Sequence, residues 1–418
     1  MPSRGHLLVA PILWTLASAS RPVVSPSWQL QTSMSTIDSL ERASGPRPLS
    51  LLTGMFDEET GLCSEGIWHN AMLGTSRVLC ARELRQCGDT TSATRFLASA
   101  QTLGDSLYRL GFDGKGFRRR FTSDIWEDAT EAEAFKAAGE DPNFYLPSEE
   151  HRCISSAAAV IFYSLLAQEG GDAEATERCT RVGDAFTEEF FDTTSMRFRR
   201  SASSDYWRAV DQAVGCLACL RLANVGHNVA ANRAMASCAA DSLLREFGYS
   251  LYATEGQPPG TYLGRAPMPP RNSWHDSLVA FSLLASGCLG VGGESPAGLV
   301  RAMVESYRNP ANGQIRHQPA ELGGVDGVAD AIDAAVAFTS TQALWSAVVR
   351  AADLSSERAA AAGGADTVAL RAFHEQYVQP DTGLLPVANL YPDARLWANT
   401  EWAAWLLLDR GDFVPRRN

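Results

Sequence analysis

The sequence is short of positive charge, short of strand-like alternation, and missing the motifs that announce a metal, a nucleotide or a serine nucleophile. Thirty-six Lys and Arg face 48 Asp and Glu, for a net charge of −12. A general binder of nucleic acid or of an anionic membrane presents a basic field, which such a chain lacks. No N-x-S/T sequon occurs and the nine cysteines are odd in number, which argues against a disulfide framework in an oxidising compartment. Helical H-E-x-x-H zinc spacing, a P-loop, a dinucleotide G-x-G-x-x-G and a G-x-S-x-G elbow are absent. The expectation is therefore no metal, no cofactor and no nucleic-acid partner. Cys216-x-x-Cys219 has redox or zinc spacing, but it lacks a second pair and sits in VGCLACLRL. It reads as two buried thiols on an apolar helix.

What is present begins with a phrase written twice. Residues 117–126 read FRRRFTSDIW and residues 198–207 read FRRSASSDYW. Each follows a helix-like stretch ending in Phe-Asp and a turn, GFDGKG at 111–116 and FFDTTS at 190–195. An internal repeat constrains architecture before any residue chemistry is weighed. The doubled arginines, Arg118 and Arg119 with Arg199 and Arg200, either grip an anionic ligand by their bidentate forks or brace loops against acidic neighbours.

The N-terminus reads as an address. Arg4 precedes LLVAPILWTLASAS, an apolar run of signal-peptide length ending in small residues. Residues 1–20 are expected to be a signal-type segment, and 21–48, rich in Ser, Pro and Thr, a transit region or linker. The destination this implies is the plastid or the secretory pathway. No other run is long and apolar enough to cross a bilayer, so no stable membrane span is expected.

Helical periodicity dominates the remainder. One kind of helix is apolar all round, and a helix of that kind is buried on every side. Such segments start near residues 68, 151, 207, 274, 331 and 397. A more amphipathic kind lies near 34–44, 91–110, 173–190, 229–246, 295–308 and 355–378. Turn-forming Asp, Asn and Gly separate them, and an acidic insertion occupies 127–150. Six inner and six outer helices in strict alternation close into an all-α (α/α)6 barrel, a toroid of six helical hairpins. One domain over 49–418 is expected.

The Trp-led inner helices, their spacing and the D-x-x-G loops resemble the six-hairpin glycosidase superfamily over about residues 50–412. NSWHDSLVAFSLL at 272–284 is similar to the His-bearing helix of the N-acylglucosamine 2-epimerase group. ARLWANTEWAAWLLLD at 394–409 is similar to that group's last inner helix. One departure is that Asp276 directly follows His275, where those epimerases usually place a Glu a turn further on. The resemblance implies a sugar or oligosaccharide substrate.

In a toroid, polar residues in the first turns of the inner helices converge at one end. The chain offers Trp68, His69 and Asn70; His151 and Arg152; Trp207, Asp211 and Gln212; Trp274, His275 and Asp276; Asp330 and Asp333; Trp397, Asn399 and Glu401. The tryptophans are either sugar platforms or anchors wedged at helix starts. Glycoside hydrolysis needs two carboxyl groups. Asp211 is the first candidate for the acid, on an otherwise apolar helix where burial raises a carboxyl pKa. Glu401 and Asp276 are the next candidates. Trp207 to Asp211 and Trp397 to Glu401 share one spacing. The alternatives are a sugar 2-epimerase or isomerase using His275 with His151 as proton-transfer pair, or a non-catalytic toroid that binds glycans or a protein. Trp68, His151, Arg152, Trp207, Gln212, Trp274, Trp397 and Asn399 are the candidate substrate contacts.

Overall fold

The computed structural model describes residues 25–43, 66–117, 151–171, 173–201, 208–245, 273–288, 296–317, 336–352, 367–394 and 396–414. The signal-type segment, the 127–150 insertion, Arg118, Arg119, Trp207, Asp330 and Asp333 lie outside these residues, as does the side chain of Trp397.

Twelve α-helices alternate along the described chain. They are α1 (Trp28–Ala43), α2 (Ile67–Cys87), α3 (Thr90–Gly111), α4 (Cys153–Gly170), α5 (Ala173–Phe190), α6 (Ala209–Asn224), α7 (Val229–Arg245), α8 (Ser273–Ser286), α9 (Pro296–Tyr307), α10 (Thr339–Ala351), α11 (Thr367–Tyr377) and α12 (Leu396–Leu407). The even-numbered helices form the inner ring. Each packs on the next, and α12 packs back on α2. This is the (α/α)6 toroid expected from the alternation.

The cause is composition. Helix α4 is buried almost continuously from Cys153 to Leu166, because CISSAAAVIFYSLL offers no charged face to water. Helix α3 instead buries Phe96, Ala100, Leu103 and Leu107 along one stripe. Its N-terminus is capped by Asp89, whose carboxylate accepts the Ser92 N–H at 2.9 Å. Short turns lead from inner to outer helices through Gly88 (φ 87°) and Gly171 (φ 67°), a conformation that side chains with a Cβ resist.

At the other end, each described connection from an outer helix to an inner one starts with a tight hairpin. Phe112 bridges Phe117, and the Asp113 carboxylate takes the N–H groups of Lys115 and Gly116. Strands β1 (Phe191–Asp192) and β2 (Arg197–Phe198) repeat the motif, with Asp192 accepting from Thr194. Arg308 bridges Ile315 around Asn309 in the same way. Phe117 and Phe198, the first residues of the doubled phrase, thus lie on the exit strand of a repeated hairpin. Both are fully buried.

A second regularity holds these hairpins. The fourth residue of every inner helix is polar and buried: Asn70, Ser156, Gln212, Asp276, Gln342 and Asn399. Three of them grip both the N–H and the C=O of one backbone residue. The Gln212 amide accepts the Phe198 N–H at 2.9 Å and donates to the Phe198 carbonyl at 2.6 Å. Gln342 does the same to Ile315 at 2.9 and 2.8 Å, and Asn399 to Leu385 at 2.9 and 2.9 Å. The Ser156 hydroxyl accepts the Phe117 N–H at 3.3 Å.

Two boundaries differ from expectation. The fifth inner helix starts at Thr339, not 331. Val336–Phe338 is extended instead: the His317 N–H donates to the Val336 carbonyl at 2.6 Å and Phe338 bridges Ala388. Cross-strand pairing wins there over helix extension. The first outer helix starts at Trp28, inside the stretch expected to be transit region or linker. The Ser27 hydroxyl takes the Leu30 N–H at 3.1 Å, and Leu30, Ile37 and Leu40 are buried. Helix α1 lies mainly against α12, to which the Ser33 hydroxyl donates at the Ala403 carbonyl, 3.0 Å away. Beyond α12 a short 3-10 turn (Arg410–Asp412) seals the far end of the barrel. The Asp412 carboxylate pairs with Arg82, and its carbonyl accepts from Arg221 and Asn224.

Replacing Gln342 with Leu would leave a buried N–H and a buried C=O of Ile315 without partners. The expected loss is about 2–5 kcal/mol, read as a lower midpoint in urea unfolding. An unchanged midpoint would show that the clamp contributes nothing.

Candidate functional site

Four inner helices meet around one carboxyl group at the hairpin end of the barrel. Glu401 is the sixth residue of α12 and is buried. The Trp68 indole N–H, from α2, donates to Oε1 at 2.7 Å. The Trp274 indole N–H, from α8, donates to Oε2 at 2.8 Å. Ser340, from α10, supplies a further side-chain hydrogen bond. The two indoles meet edge to face with centroids 5.8 Å apart. His69 Nδ1 stands 3.9 Å from Oε1. Burial dominates the electrostatics: despite three donors that favour the anion, desolvation pushes the Glu401 carboxyl up to about 7. Near neutral pH it is poised between holding and releasing a proton.

A cavity of about 220 Å³ opens beside Glu401, lined by Trp274, His275, His317, Phe338, Ser340 and Thr341. His275 follows Trp274 on α8 and packs edge-on against its indole at 5.3 Å. Burial, then the positive charge of Arg208 and the neighbouring His317, push the His275 imidazole down to about 3. It is therefore neutral near pH 7, able to donate from one nitrogen and accept at the other. His317 is fixed through its backbone. Its carbonyl accepts the Ser273 N–H at 2.8 Å, its own N–H is spent on Val336, and its ring stands edge-on to Phe338 at 4.7 Å.

The structure thus brings Trp68, Trp274, His275 and Glu401 together, and none of the other expected residues whose side chains are described lines the cavity beside Glu401. Asp211 is fully buried, and Arg208 takes both its oxygens side-on, Nε to Oδ2 at 2.6 Å and Nη2 to Oδ1 at 2.7 Å. Asp276 is buried and accepts the Tyr307 hydroxyl of α9. Gln212 and Asn399 are the backbone clamps described above. The His151 imidazole lies between Asp113 (2.8 Å) and Glu189 (3.2 Å), where it ties the first hairpin to α5. Arg152 immediately precedes α4, and its carbonyl accepts the Ser156 N–H. Cys216 and Cys219 are both buried free thiols, and burial raises the pKa of each. Among the described residues no group of three or more His, Cys, Asp or Glu is arranged to hold a metal.

His317 and Ser340 escaped the sequence reading.

No family model and no curated protein matches the sequence. Solved structures do match. A D-mannose isomerase superposes with a TM-score of 0.58 at 13% identity, covering 92% of this chain and 99% of that one. The cellobiose 2-epimerase of Bacillus thermoamylovorans B4167 gives 0.60 at 9%, covering 91% and 98%. The unsaturated glucuronyl hydrolase of Bacillus sp. GL1 gives 0.55 at 10%, covering 93% and 99%. These enzymes are six-hairpin glycosidase-like toroids, and this chain has their fold.

Glu401 and His275 make opposite contributions to stability against pH. A carboxyl ordinarily titrating near 4.5 and raised to about 7 on folding leaves the folded state holding the extra proton between those values. Its contribution to stability therefore falls as pH rises from 4.5 to 7, by on the order of 3 kcal/mol. An imidazole lowered from 6.5 to about 3 costs stability as pH falls below 6.5. Relative to the native chain, Glu401→Gln should become progressively more stable between pH 4.5 and 7, as measured by melting temperature. A pH-independent difference would overturn the assignment.

Proposed function

We propose that this protein catalyses proton transfer next to the carbonyl of a reducing sugar, as an aldose–ketose isomerase or 2-epimerase does. The observation that carries this reading is the single cavity that joins a carboxyl titrating near 7 to an imidazole held neutral. A general base works best when its pKa lies close to the operating pH, and Glu401 meets that condition. A carboxylate has about four lone-pair positions. Two indoles and one hydroxyl occupy three, leaving one for a substrate proton. Neutral imidazole is the form that polarises a carbonyl and stabilises an enediolate without surrendering its proton outright, a pairing of carboxylate base with neutral histidine known from other isomerases. His275 takes that role. His317, on the same cavity, relays a proton between the sugar oxygens or returns one to carbon. Trp274 supplies an apolar face for the sugar ring.

Two of the structural neighbours are a D-mannose isomerase and a cellobiose 2-epimerase, which agrees with this class of chemistry. A cavity of about 220 Å³ falls below the range of about 300–1,000 Å³ usual for larger ligands, so one sugar unit is the expected occupant of the described part. Hydrolysis by two carboxylates is the second reading, kept because a carboxyl titrating near 7 also suits a general acid. It is less favoured because Glu401 is the only acid among the described residues lining the cavity.

Incubation with D-mannose, and separately with cellobiose, in deuterated water tests the proposal. The expected result is deuterium at C2 of the sugar, or at C1 of a ketose product. The rate should rise with pH through a pKa near 7 and fall at least ~10²-fold in Glu401→Gln, with His275→Asn also impaired. Cleavage of an oligosaccharide without any exchange would replace the proposal with the hydrolase.

A further inference from the structure

A second cavity, of about 310 Å³, lies at the opposite mouth of the barrel. Helix α8 links the two: it begins beside Glu401 with Trp274 and His275 and ends at Ser286 in the second cavity. At ~1.5 Å per residue the separation is roughly 20 Å, so this is no extension of the first site.

Leu220 of α6, Ala236 of α7 and Phe413 beyond the C-terminal turn form an apolar floor, with the free thiol of Cys288 on the wall. Two arginines line the same cavity, Arg233 from α7 and Arg410 from the C-terminal turn, and none of the described lining residues is acidic. Among the described residues, local acids do not pair with them. On α7 the positions three and four residues from Arg233 are Val229, Ala230, Ala236 and Ser237, so no helical ion pair is available. The acids beside Arg410 are committed elsewhere. The Asp412 carboxylate pairs with Arg82 and takes the Asp409 N–H at 2.9 Å, and the Asp409 side chain accepts backbone in return. Two cations lining one largely apolar cavity, Arg233 exposed and Arg410 half-buried, stand out in a chain of net charge −12. The carbonyl end of α8 opposes an anion there, but a helix terminus amounts to about half a charge, less than two guanidinium groups.

We propose that this cavity binds a small amphipathic anion. Its carboxylate, phosphate or sulfate head bridges Arg233 and Arg410, whose forks match such groups bidentately, and a short apolar body covers Leu220, Ala236 and Phe413. The ligand ties the outer helix α7 to the turn that seals the barrel. The site is independent of the sugar chemistry proposed above and stands or falls separately.

Calorimetric titration of the full chain with sodium octanoate tests this, with octanamide (same body, no charge) and inorganic phosphate (charge, no body) as comparators. Octanoate should saturate one site and slow N-ethylmaleimide labelling of Cys288, followed by peptide mass. Octanamide and phosphate should each bind at least ten-fold more weakly. The double variant Arg233→Gln, Arg410→Gln should lose at least ten-fold in octanoate affinity while keeping the native melting temperature. Absence of octanoate binding at millimolar concentration would overturn the proposal. So would equal binding by octanamide or by the double variant.

Discussion

Six helices buried on every side leave no water for the backbone that carries the chain into them, and the rest of the structure is arranged around that constraint. Each buried N–H and C=O must find a partner inside the protein. In three of the described hairpins a side-chain amide completes the ladder that a third strand would otherwise have made. The amide is the right group because it donates and accepts at once, so one residue satisfies both backbone groups of its partner. Its recurrence as the fourth residue of an inner helix makes the toroid a repeat at the level of hydrogen bonding, with little repetition in sequence beyond the doubled FRR phrase.

That framework also decides which residues are available for chemistry. Fourth-position side chains are spent on structure, four of them on hairpin backbone, Asn70 on the Gly66 carbonyl and Asp276 on the Tyr307 hydroxyl. The helical residues of the cavity come from the second, third and sixth positions, as Trp274, His275 and Glu401 do, and His317 and Phe338 join them from outside the helices. Four helices contribute to the environment of a single carboxyl group, so its pKa depends on closure of the ring as a whole.

Much of this was legible in sequence. Uniform apolarity marked the inner helices and the apolar stripe marked the outer ones; Trp68, Trp274 and Glu401 were legible as polar or aromatic residues near helix starts, but the bonding of both indoles to Glu401 was not. What was obscure has physical reasons. Val336–Phe338 is as apolar as a helix turn, and only its partners Ala388 and His317, distant along the chain, make it extended. Asp211 looked like an acid isolated on an apolar helix, yet Arg208 stands three residues before it and reaches back over one turn. Gln212 and Asn399 looked like sugar contacts because an amide suits either a hydroxyl or a peptide group. His317 sits in a loop rather than at a helix start, so no periodicity pointed to it.

The contact between α1 and α12 has a consequence for how the chain comes into being. Ser33 and Ala403 are 370 residues apart. At ribosomal rates of about 5–20 residues per second, the apolar face of α1 waits roughly 20–70 s for the helix it will lie against. Through that interval Leu30, Ile37 and Leu40 have only the smaller contact with α2 for shelter, and the ring is an open arc with two raw edges. Pairings this distant along the chain form slowly, so the nascent protein depends on whatever covers that first helix until the last one arrives.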